Sequence, residues 1–586
     1  PIVREDAVAE AQPEPAPALA EGKDAAAATQ AEQPPKKKQR RGMNKNKDRA
    51  ANSEAMKMVR ASQLCSKMAY VNSCAEEGQK CKQPHDLDAF FVGKPAAIGS
   101  NCPVLEALGV CPAGLNCRWD GHIKDRKNVD RDGVVVTPDS AWLTKVPGVG
   151  QPTGEANIFK YELVGQLRKK VYDFSRSQEV AKAWQRYVSG NCDQPLGGIV
   201  ENERRPIDLK GKRVLAPLTT VGNLPFRRLC VKLGCEVTVG EMALTNSILE
   251  GLHTELSLLR RHESEKCFGI QVAGGDVEQM AKLAQFVDEQ VDCDFVDINC
   301  GCPLDEVHRR GAGSRLMART KCLEGIVRCM STVMKTKPLT LKMRTADHED
   351  RKSTEFDGRY AHKLVPQLED WGVSAITLHG RTARQRYTKL ADWDYVSECS
   401  KRRACATPFI ACGDVLSWED AEAHVRSHNV DSIMVGRGAL MKPWLFTEMA
   451  ERRDWDISAT ERFDLIRDFT NYGLEHWGAD ARGVETTRRF LLEWLSFTCR
   501  YVPLGLLEQT PQQINWRPRP YIGRNDLETK LGSSSPTDWI EITEMLLGKV
   551  PAGFTFVPKH KSASYESKAQ LAGTTVAAAS KRPAEE

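Results

Sequence analysis

Two sets of residues in this chain have the types and spacing that chemistry needs. The first is Cys65-x8-Cys74-x6-Cys81-x3-His85, followed by Cys102-x8-Cys111-x5-Cys117-x4-His122. Each group offers three thiolates and one imidazole. That closes a tetrahedral zinc site with no open position, so the Zn2+ is expected to be structural. Short segments with little core of their own fold when such a metal binds. The second set centres on Asp297-Ile298-Asn299-Cys300-Gly301-Cys302-Pro303. A short apolar run broken by Gly301 and Pro303 delivers an amide, Asn299, and a thiol, Cys302, to one edge of a sheet, where α/β proteins keep their chemistry. Taken alone, the stretch slightly favours Cys302 as a small buried hydrophobe.

The elements around Cys302 decide between these readings. From about 210 to 450, short apolar, β-branched runs alternate with amphipathic helices. The runs are 214–218, 236–240, 268–272, 295–299, 339–343, 375–379, 408–412 and 432–436. A helix at 277–289 presents Val277, Met280, Leu283 and Val287 on one face, with Asp276 and Gln279 placed for reciprocal capping. Eight strand–helix alternations over this length predict a (β/α)8 TIM barrel, an α/β fold. A doubly wound sheet is the rival, weakened by the lack of a G-x-G-x-x-G after the first strand. A barrel keeps its chemistry on the loops after the strands. In order, those ends carry Ala216-Pro217-Leu218, Gln271, Asn299 with Cys302, Lys342 with Arg344, His379-Gly380-Arg381, Cys412-Gly413-Asp414 and Gly436-Arg437. Any one of these is unremarkable as packing; their convergence on one rim is not. Glycines after the last two strands, with Arg437, suit a phosphate site, because bare N–H groups approach an anion closely.

The flanks add partners. The 586 residues carry a net charge of +5, are 41% hydrophobic and 27% charged, and are expected to form several soluble domains. No apolar run is long enough for a membrane span. The 19 cysteines, without a secretory signal, argue for a reducing compartment. The chain starts on Pro1, so a processed or incomplete start is expected. Residues 1–55 are expected to be a disordered tail carrying the basic cluster Lys36-Lys37-Lys38-Gln39-Arg40-Arg41, which reads as a nuclear-import or nucleic-acid segment. Fingers are expected at 60–90 and 97–124. Their aromatics Tyr70, Phe90 and Trp119 lie among Lys67, Lys80, Lys82 and Arg118, the mixture that stacks bases and meets phosphates; the alternative is that these rings only fill finger cores. A linker and basic helix follow at 125–205, the helix read from Leu163, Leu167, Val171 and Phe174 around Arg168, Lys169 and Lys170. The barrel at 208–452 precedes a helical region at 455–555, with Phe490, Leu491, Trp494 and Leu495 beside Arg488, Arg489 and Arg500, and with Arg517, Arg519 and Arg524 beyond. Residues 557–586 read as a second disordered tail.

The motifs Leu215-Ala216-Pro217-Leu218, Asp297 to Pro303, Leu341-Lys342-Met343-Arg344-Thr345, Leu378-His379-Gly380-Arg381-Thr382 and Val435-Gly436-Arg437-Gly438 resemble those of the tRNA-dihydrouridine synthase family of flavoproteins. Tandem CCCH fingers ahead of the barrel resemble the eukaryotic type-3 subgroup. The resemblance covers about 210–555. It implies FMN as cofactor, NADPH or NADH as reductant, and reduction of the C5–C6 double bond of uridine in tRNA. Hydride would pass from flavin N5 to C6, and Cys302 would protonate C5. It further implies that Lys342 lies by the flavin's pyrimidine edge, that Gln271 and Asn299 orient the ring, that Ala216, Pro217, Leu218 and His379 contact the cofactor, and that Cys412, Gly413, Asp414, Gly436 and Arg437 serve the phosphate side. Cys412 departs from the family, which commonly has Asn there. Arg344, Arg381 and Arg384 are weaker candidates for substrate contacts. The helical region would bind tRNA. The subgroup implies position 47 in the variable loop, with some mRNA sites, and residence in cytoplasm and nucleus. A monomer is expected, with no DNA partner. Two rivals remain: an FMN barrel acting on a small molecule, and a non-catalytic zinc-finger RNA-binding protein.

Overall fold

The computed structural model describes residues 63–74, 81–140, 154–191, 206–348, 355–385, 387, 389–404, 407–512, 514, 518–551 and 554–559. The basic cluster at 36–41 and most of both tails lie outside the described residues. Eight parallel strands form a ring: β1 (Arg213–Leu215), β2 (Val237–Val239), β3 (Cys267–Ala273), β4 (Phe295–Cys300), β5 (Leu339–Arg344), β6 (Ala375–His379), β7 (Phe409–Cys412) and β8 (Ser432–Val435). β1 pairs with both β8 and β2, and the ring closes where Val237, Thr238 and Val239 of β2 meet Cys267, Phe268 and Gly269 of β3. Closure excludes the doubly wound sheet. β7 begins one residue later than the apolar run because Pro408 has no N–H for the ladder; its carbonyl still accepts from Ile376 at 3.0 Å.

Side chains alternate in and out along each strand. Val214, Val237, Val239, Phe295, Ala375, Ile410 and Met434 point inward and form an apolar floor. Their neighbours, such as Leu215, Phe268, Ile298 and Leu341, pack beneath the surrounding helices. The floor explains Gly269. A Cβ there would lie 2.2 Å from the Phe295 ring, so one strand gives up its side chain to let a phenyl group plug the barrel.

The segment before the barrel departs from expectation. α1 (Tyr161–Arg168) is shorter than the periodicity suggested, and Val171 and Phe174 lie beyond it. Lys170 takes φ +57° while its N–H bonds Leu167 O and the Val171 N–H bonds Gln166 O, a left-handed helix stop. A second helix, α2 (Ser175–Val188), follows and docks on α3 (Val277–Gln290); the Ser177 N–H donates to Gln285 Oε1 at 3.0 Å. Docking accounts for its buried face of Ser177, Ala181 and Trp184. In α3, Asp276 caps Gln279 N–H as expected, without the return bond of a full capping box.

The C-terminal region is helical: α4 (Ala459–Trp477), α5 (Ala481–Thr498) and α6 (Pro536–Leu547). Trp494 anchors it to the barrel, donating from Nε1 to Leu440 O at 3.0 Å and packing edge-on against Phe226. Among the described residues no helix is long and apolar enough to cross a membrane. The second finger is continuous with this domain. Arg118 N–H donates to Ala479 O at 2.9 Å, and Val104, Cys117 and Trp119 share a core with Leu474, Val484 and Leu547. Residues 123–136 also fold rather than link: Ile123–Lys124 pairs with Lys127–Asn128, and Asn72 Nδ2 bonds Val136 O. At the other end, residues 557–559 are not free tail; Lys559 Nζ donates to Thr220 Oγ1 at 2.9 Å.

Gly269→Ala should cost about 2–3 kcal/mol of stability, because the overpacked barrel has no room to relax. Adding Phe295→Leu should recover part of it. Denaturant unfolding of the single and double variants measures both.

Candidate active site

Strand parity sets the site. On β4, Phe295 belongs to the floor, so Asp297 and Asn299 face inward above it, while Val296, Ile298 and Cys300 face the helices. Gln271 on β3 and Thr340 on β5 share the inward parity. These groups form one buried chain. Thr340 Oγ1 donates to Asp297 Oδ1 at 2.7 Å, and Gln271 Nε2 donates to Asp297 Oδ2 at 2.7 Å. Asn299 Nδ2 donates to Gln271 Oε1 at 2.7 Å. Asn299 Oδ1 then accepts the N–H groups of Gly301 at 3.1 Å and Cys302 at 2.9 Å. This Asx-type turn fixes the cysteine. Burial raises the Cys302 thiol above its ordinary value, against the pull of the Leu304 N–H, Arg344 and Lys342, so it holds its proton at neutral pH. Cys300 is wholly buried on the outer side, which separates two thiols that the sequence left at one turn.

Higher on the rim, Lys342 of β5 has no hydrogen bond or ion pair among the described residues, leaving a cation in the mouth to meet an anion. His379 is held far below its ordinary value by burial, and then by Arg344, Lys342, Arg381 and Arg437. Arg381 Nη1 approaches its Nε2 at 3.3 Å. A guanidinium only donates, so Nε2 accepts and the neutral imidazole keeps its proton on Nδ1. Across the mouth, Ala216, Pro217 and Leu218 end β1. A Cβ on Gly436 would meet only Ala216 and Leu218, at 3.8 and 3.9 Å, so a bare glycine lines an open cradle beside the short helix Arg437–Met441. Gly413 takes φ +139°, where a Cβ would strike Ala391 at 2.6 Å. Cys412 is buried at the top of the floor beside Ala216.

Asp414 is not a ligand in waiting. Its carboxylate accepts from Arg381 Nη2 at 2.7 and 2.5 Å, from Arg437 Nη2 at 2.7 Å and from Ala391 N–H at 2.7 Å. It therefore positions Arg437. Burial works to raise its pKa, but Arg381, the Ala391 N–H and Arg437 hold it below the ordinary value. Two candidate substrate-binding arginines are likewise corrected. Arg344 is spent on Gly301 O and Thr382 O, and Arg381 is fully buried on Lys389 O and Asp414. Each guanidinium meets acceptors within its own chain before it can reach the mouth; Arg384 stays exposed. In the helical domain Arg488 is buried on Thr543 Oγ1, Leu547 O and Gly548 O, and Arg524 is paired with Asp456 and Glu528. Arg519 is exposed, and Arg517 lies outside the described residues.

The eight finger residues gather as expected. Cys65, Cys74, Cys81 and His85 form one cluster, and Cys102, Cys111, Cys117 and His122 the other, with ligand atoms within 4.8 Å of one another in each. Sulfur separations are 3.7 Å for Cys65–Cys74, 3.5 Å for Cys65–Cys81 and 3.7 Å for Cys102–Cys117. These match the edge of a tetrahedron with metal–sulfur bonds of about 2.3 Å. Nε2 of both His85 and His122 is buried without a hydrogen-bond partner. His122 Nδ1 lies 3.0 Å from Asn128 Oδ1, which turns Nε2 towards the thiols, and Asn128 is held by Tyr70 O. Burial and the neighbouring thiols push Cys111 and Cys117 far above the ordinary range, so a cation is needed for all three sulfurs to ionise. Tyr70 is 0% and Trp119 5% exposed, so neither ring is available to stack a base; they fill finger cores. Phe90 remains partly open beside Phe91.

Asp297, Thr340 and Asn128 were not among the residues picked from the sequence. Parity from Asn299 would have found Asp297, two residues back on the same face. Nothing local marks Asn128, whose role depends on a fold-back contact.

Comparison with known proteins adds the following. Residues 214–490 match the family model described as Dihydrouridine synthase (Dus). A Xenopus laevis protein named tRNA-dihydrouridine(47) synthase [NAD(P)(+)]-like is 43% identical over 560 residues, spanning 90% of this chain and 83% of that one. The Homo sapiens protein of that name is 43% identical, over 83% of this chain and 79% of its own. A Coprinopsis cinerea tRNA-dihydrouridine(47) synthase [NAD(P)(+)] is 41% identical, over 83% and 80%. Among solved structures, morphinone reductase in complex with tetrahydroNAD overlays 43% of this chain and 90% of its own at TM-score 0.30 and 12% identity, too slight a likeness to argue from.

Asp414→Ala should destabilise the protein by about 3 kcal/mol, because it leaves the buried Arg381 guanidinium without its carboxylate. Since the folded carboxyl lies below its ordinary value, this contribution is complete above that ordinary value and is lost as pH falls through the folded one. The stability gap between wild type and variant, followed by denaturant unfolding, should therefore close on acidification.

Proposed function

Because the chain belongs to the dihydrouridine synthase family, we propose that it reduces the C5–C6 bond of uridine 47 in tRNA with NADPH or NADH as reductant. The observation that carries the reading is the Cys302 thiol, protonated and pinned through Asn299 beside an inward cation and a neutral imidazole. The mouth fits FMN in the chemistry of its donors. Gln271, Asn299, Lys342 and His379 would hold the isoalloxazine. Ala216, Pro217 and Leu218 would line its edge, and Gly413, Gly436 and Arg437 would take the phosphate. Bound there, FMN would supply the hydride. Cys412 then contributes shape rather than a hydrogen bond, and Asp414 acts through Arg437.

The protein's own residues do the remaining work. Cys302 keeps its proton until C5 demands it. Arg344 and Lys342 favour the thiolate left behind, and solvent restores the proton. Lys342 offers a positive charge where a reduced flavin carries a negative one. The target base must leave its stack to reach a thiol held in the barrel mouth. The finger clusters suit two Zn2+ ions, the second of which staples the finger to the helical domain that we assign to tRNA binding. A role on mRNA, a monomeric state and shared residence in nucleus and cytoplasm extend the reading; the basic cluster at 36–41 supports the last. Family membership favours a tRNA substrate over a small-molecule one, and the protonated thiol favours an active enzyme over a bare RNA binder.

Cys302→Ala should slow uridine reduction at least about a hundredfold, within the range for loss of a general acid, while FMN stays bound. Cys300→Ala should cost far less. Dihydrouridine counted by mass spectrometry in unmodified tRNA transcripts decides; full turnover by Cys302→Ala would remove the acid assignment. Metal analysis should find two zinc ions per chain, and Cys117→Ser should lose one and lower the melting temperature, since it opens the core shared with Leu474 and Val484.

A further inference from the structure

The site's amides have a direction, and something must set it. An amide side chain can lie either way round at almost no cost unless its neighbours discriminate oxygen from nitrogen. Asn299 must present Oδ1, not Nδ2, to the Gly301 and Cys302 N–H groups. Its Nδ2 then needs an acceptor and finds Gln271 Oε1. That in turn leaves Gln271 Nε2 needing an acceptor, and it finds Asp297 Oδ2. Asp297 is 4% exposed, and its other oxygen is occupied by the Thr340 hydroxyl. A carboxylate accepts and never donates. It is the one member of the chain that cannot be reversed.

We propose that Asp297 is a positioning residue: its buried carboxylate fixes the orientation of the Gln271 and Asn299 amides, and through them holds the turn that carries Cys302. Among the described residues Asp297 makes no hydrogen bond to the Cys302 thiol and acts through Gln271 and Asn299. Its cost is a buried carboxylate: burial raises its pKa to about 6, against the bonds from Gln271 and Thr340 and the pull of Lys342. An apolar residue would serve the floor as well; only the acceptor's polarity explains the carboxylate. The catalytic consequence rests on the function proposed above, but the positional one does not.

The test is Asp297→Asn in the FMN-loaded full-length protein. Asparagine has the same shape but is neutral and donates as well as accepts, and the Thr340 hydroxyl can turn to meet either end of it, so the acceptor facing Gln271 is weaker and no longer fixed in direction. Whenever its Nδ2 faces Gln271 Oε1, both amides reverse and Asn299 Nδ2 faces two N–H donors. Hydrogen exchange at the Gly301 and Cys302 amides should then accelerate at least about tenfold, the signature of a local opening. The ladder amides of β4 and β5 should keep their protection. In single turnovers at saturating FMN, uridine reduction should slow more than reduction of the flavin by NADPH, because both amides face the flavin but only uridine reduction also needs the turn that carries Cys302. Unchanged exchange at those two amides overturns the proposal, as does equal slowing of both half-reactions, which would mean general damage. If the asparagine variant does not fold, Thr340→Val removes one of the two bonds holding the carboxylate. It should give a smaller acceleration at the same two amides, and none would be fatal to the idea. If wild type reduces no tRNA uridine while the exchange result holds, the proposed function falls and the positioning role stands.

Discussion

The pairing of β2 with β3 is the constraint on which everything else rests. Once Val237 to Val239 hydrogen-bond to Cys267 to Gly269, the eight parallel strands close into a ring. Every strand end then lies on one rim, and the two-residue period of a strand decides which side chains enter the mouth. The lower positions are filled by Val, Ile, Met, Ala and one Phe that displaces the Gly269 side chain. The upper positions of the same strands, in the same parity, carry Gln271, Asn299, Lys342 and His379. A site of this kind needs no special scaffold, only polar residues at the last inward position of each strand.

Burying so many polar groups is tolerable because they satisfy one another. The Asp297 chain leaves no wrong-way amide, and Asp414 gathers two guanidiniums that would otherwise be stranded. What remains without a partner among the described residues is informative. Lys342 has a charge to offer, Gly436 has open space beside it, and both face the mouth. The same logic applies at the fingers, where the buried Nε2 atoms of His85 and His122 have no partner and the sulfurs crowd around them. In both places the protein has arranged donors around something it does not itself supply.

Much of this was legible in the sequence. Strand positions followed from β-branched runs, and the rim residues from strand ends, because both depend on local pattern. The metal clusters followed from spacing alone. What sequence could not give depends on contacts between distant segments. Arg344, Arg381 and Arg488 read as cations for RNA, yet each meets backbone carbonyls or hydroxyls within the protein. Trp119 read as a stacking platform, yet the turn between α4 and α5 covers it. Lys170 ended a helix that its apolar periodicity would have continued, because a left-handed residue there satisfies the last carbonyls. Asp297 was in plain view inside the quoted motif; its importance shows only when Gln271 from the neighbouring strand is placed beside it.

The central claim is that this rim holds a protonated thiol against the uracil ring. An experimental structure with FMN and a tRNA carrying the target uridine tests it most directly, through the distance from Cys302 Sγ to C5. The account predicts contact at about 3.5 Å, with Asn299 Oδ1 still holding the Cys302 N–H. A thiol turned away from the ring, with another acidic group facing C5, would contradict it.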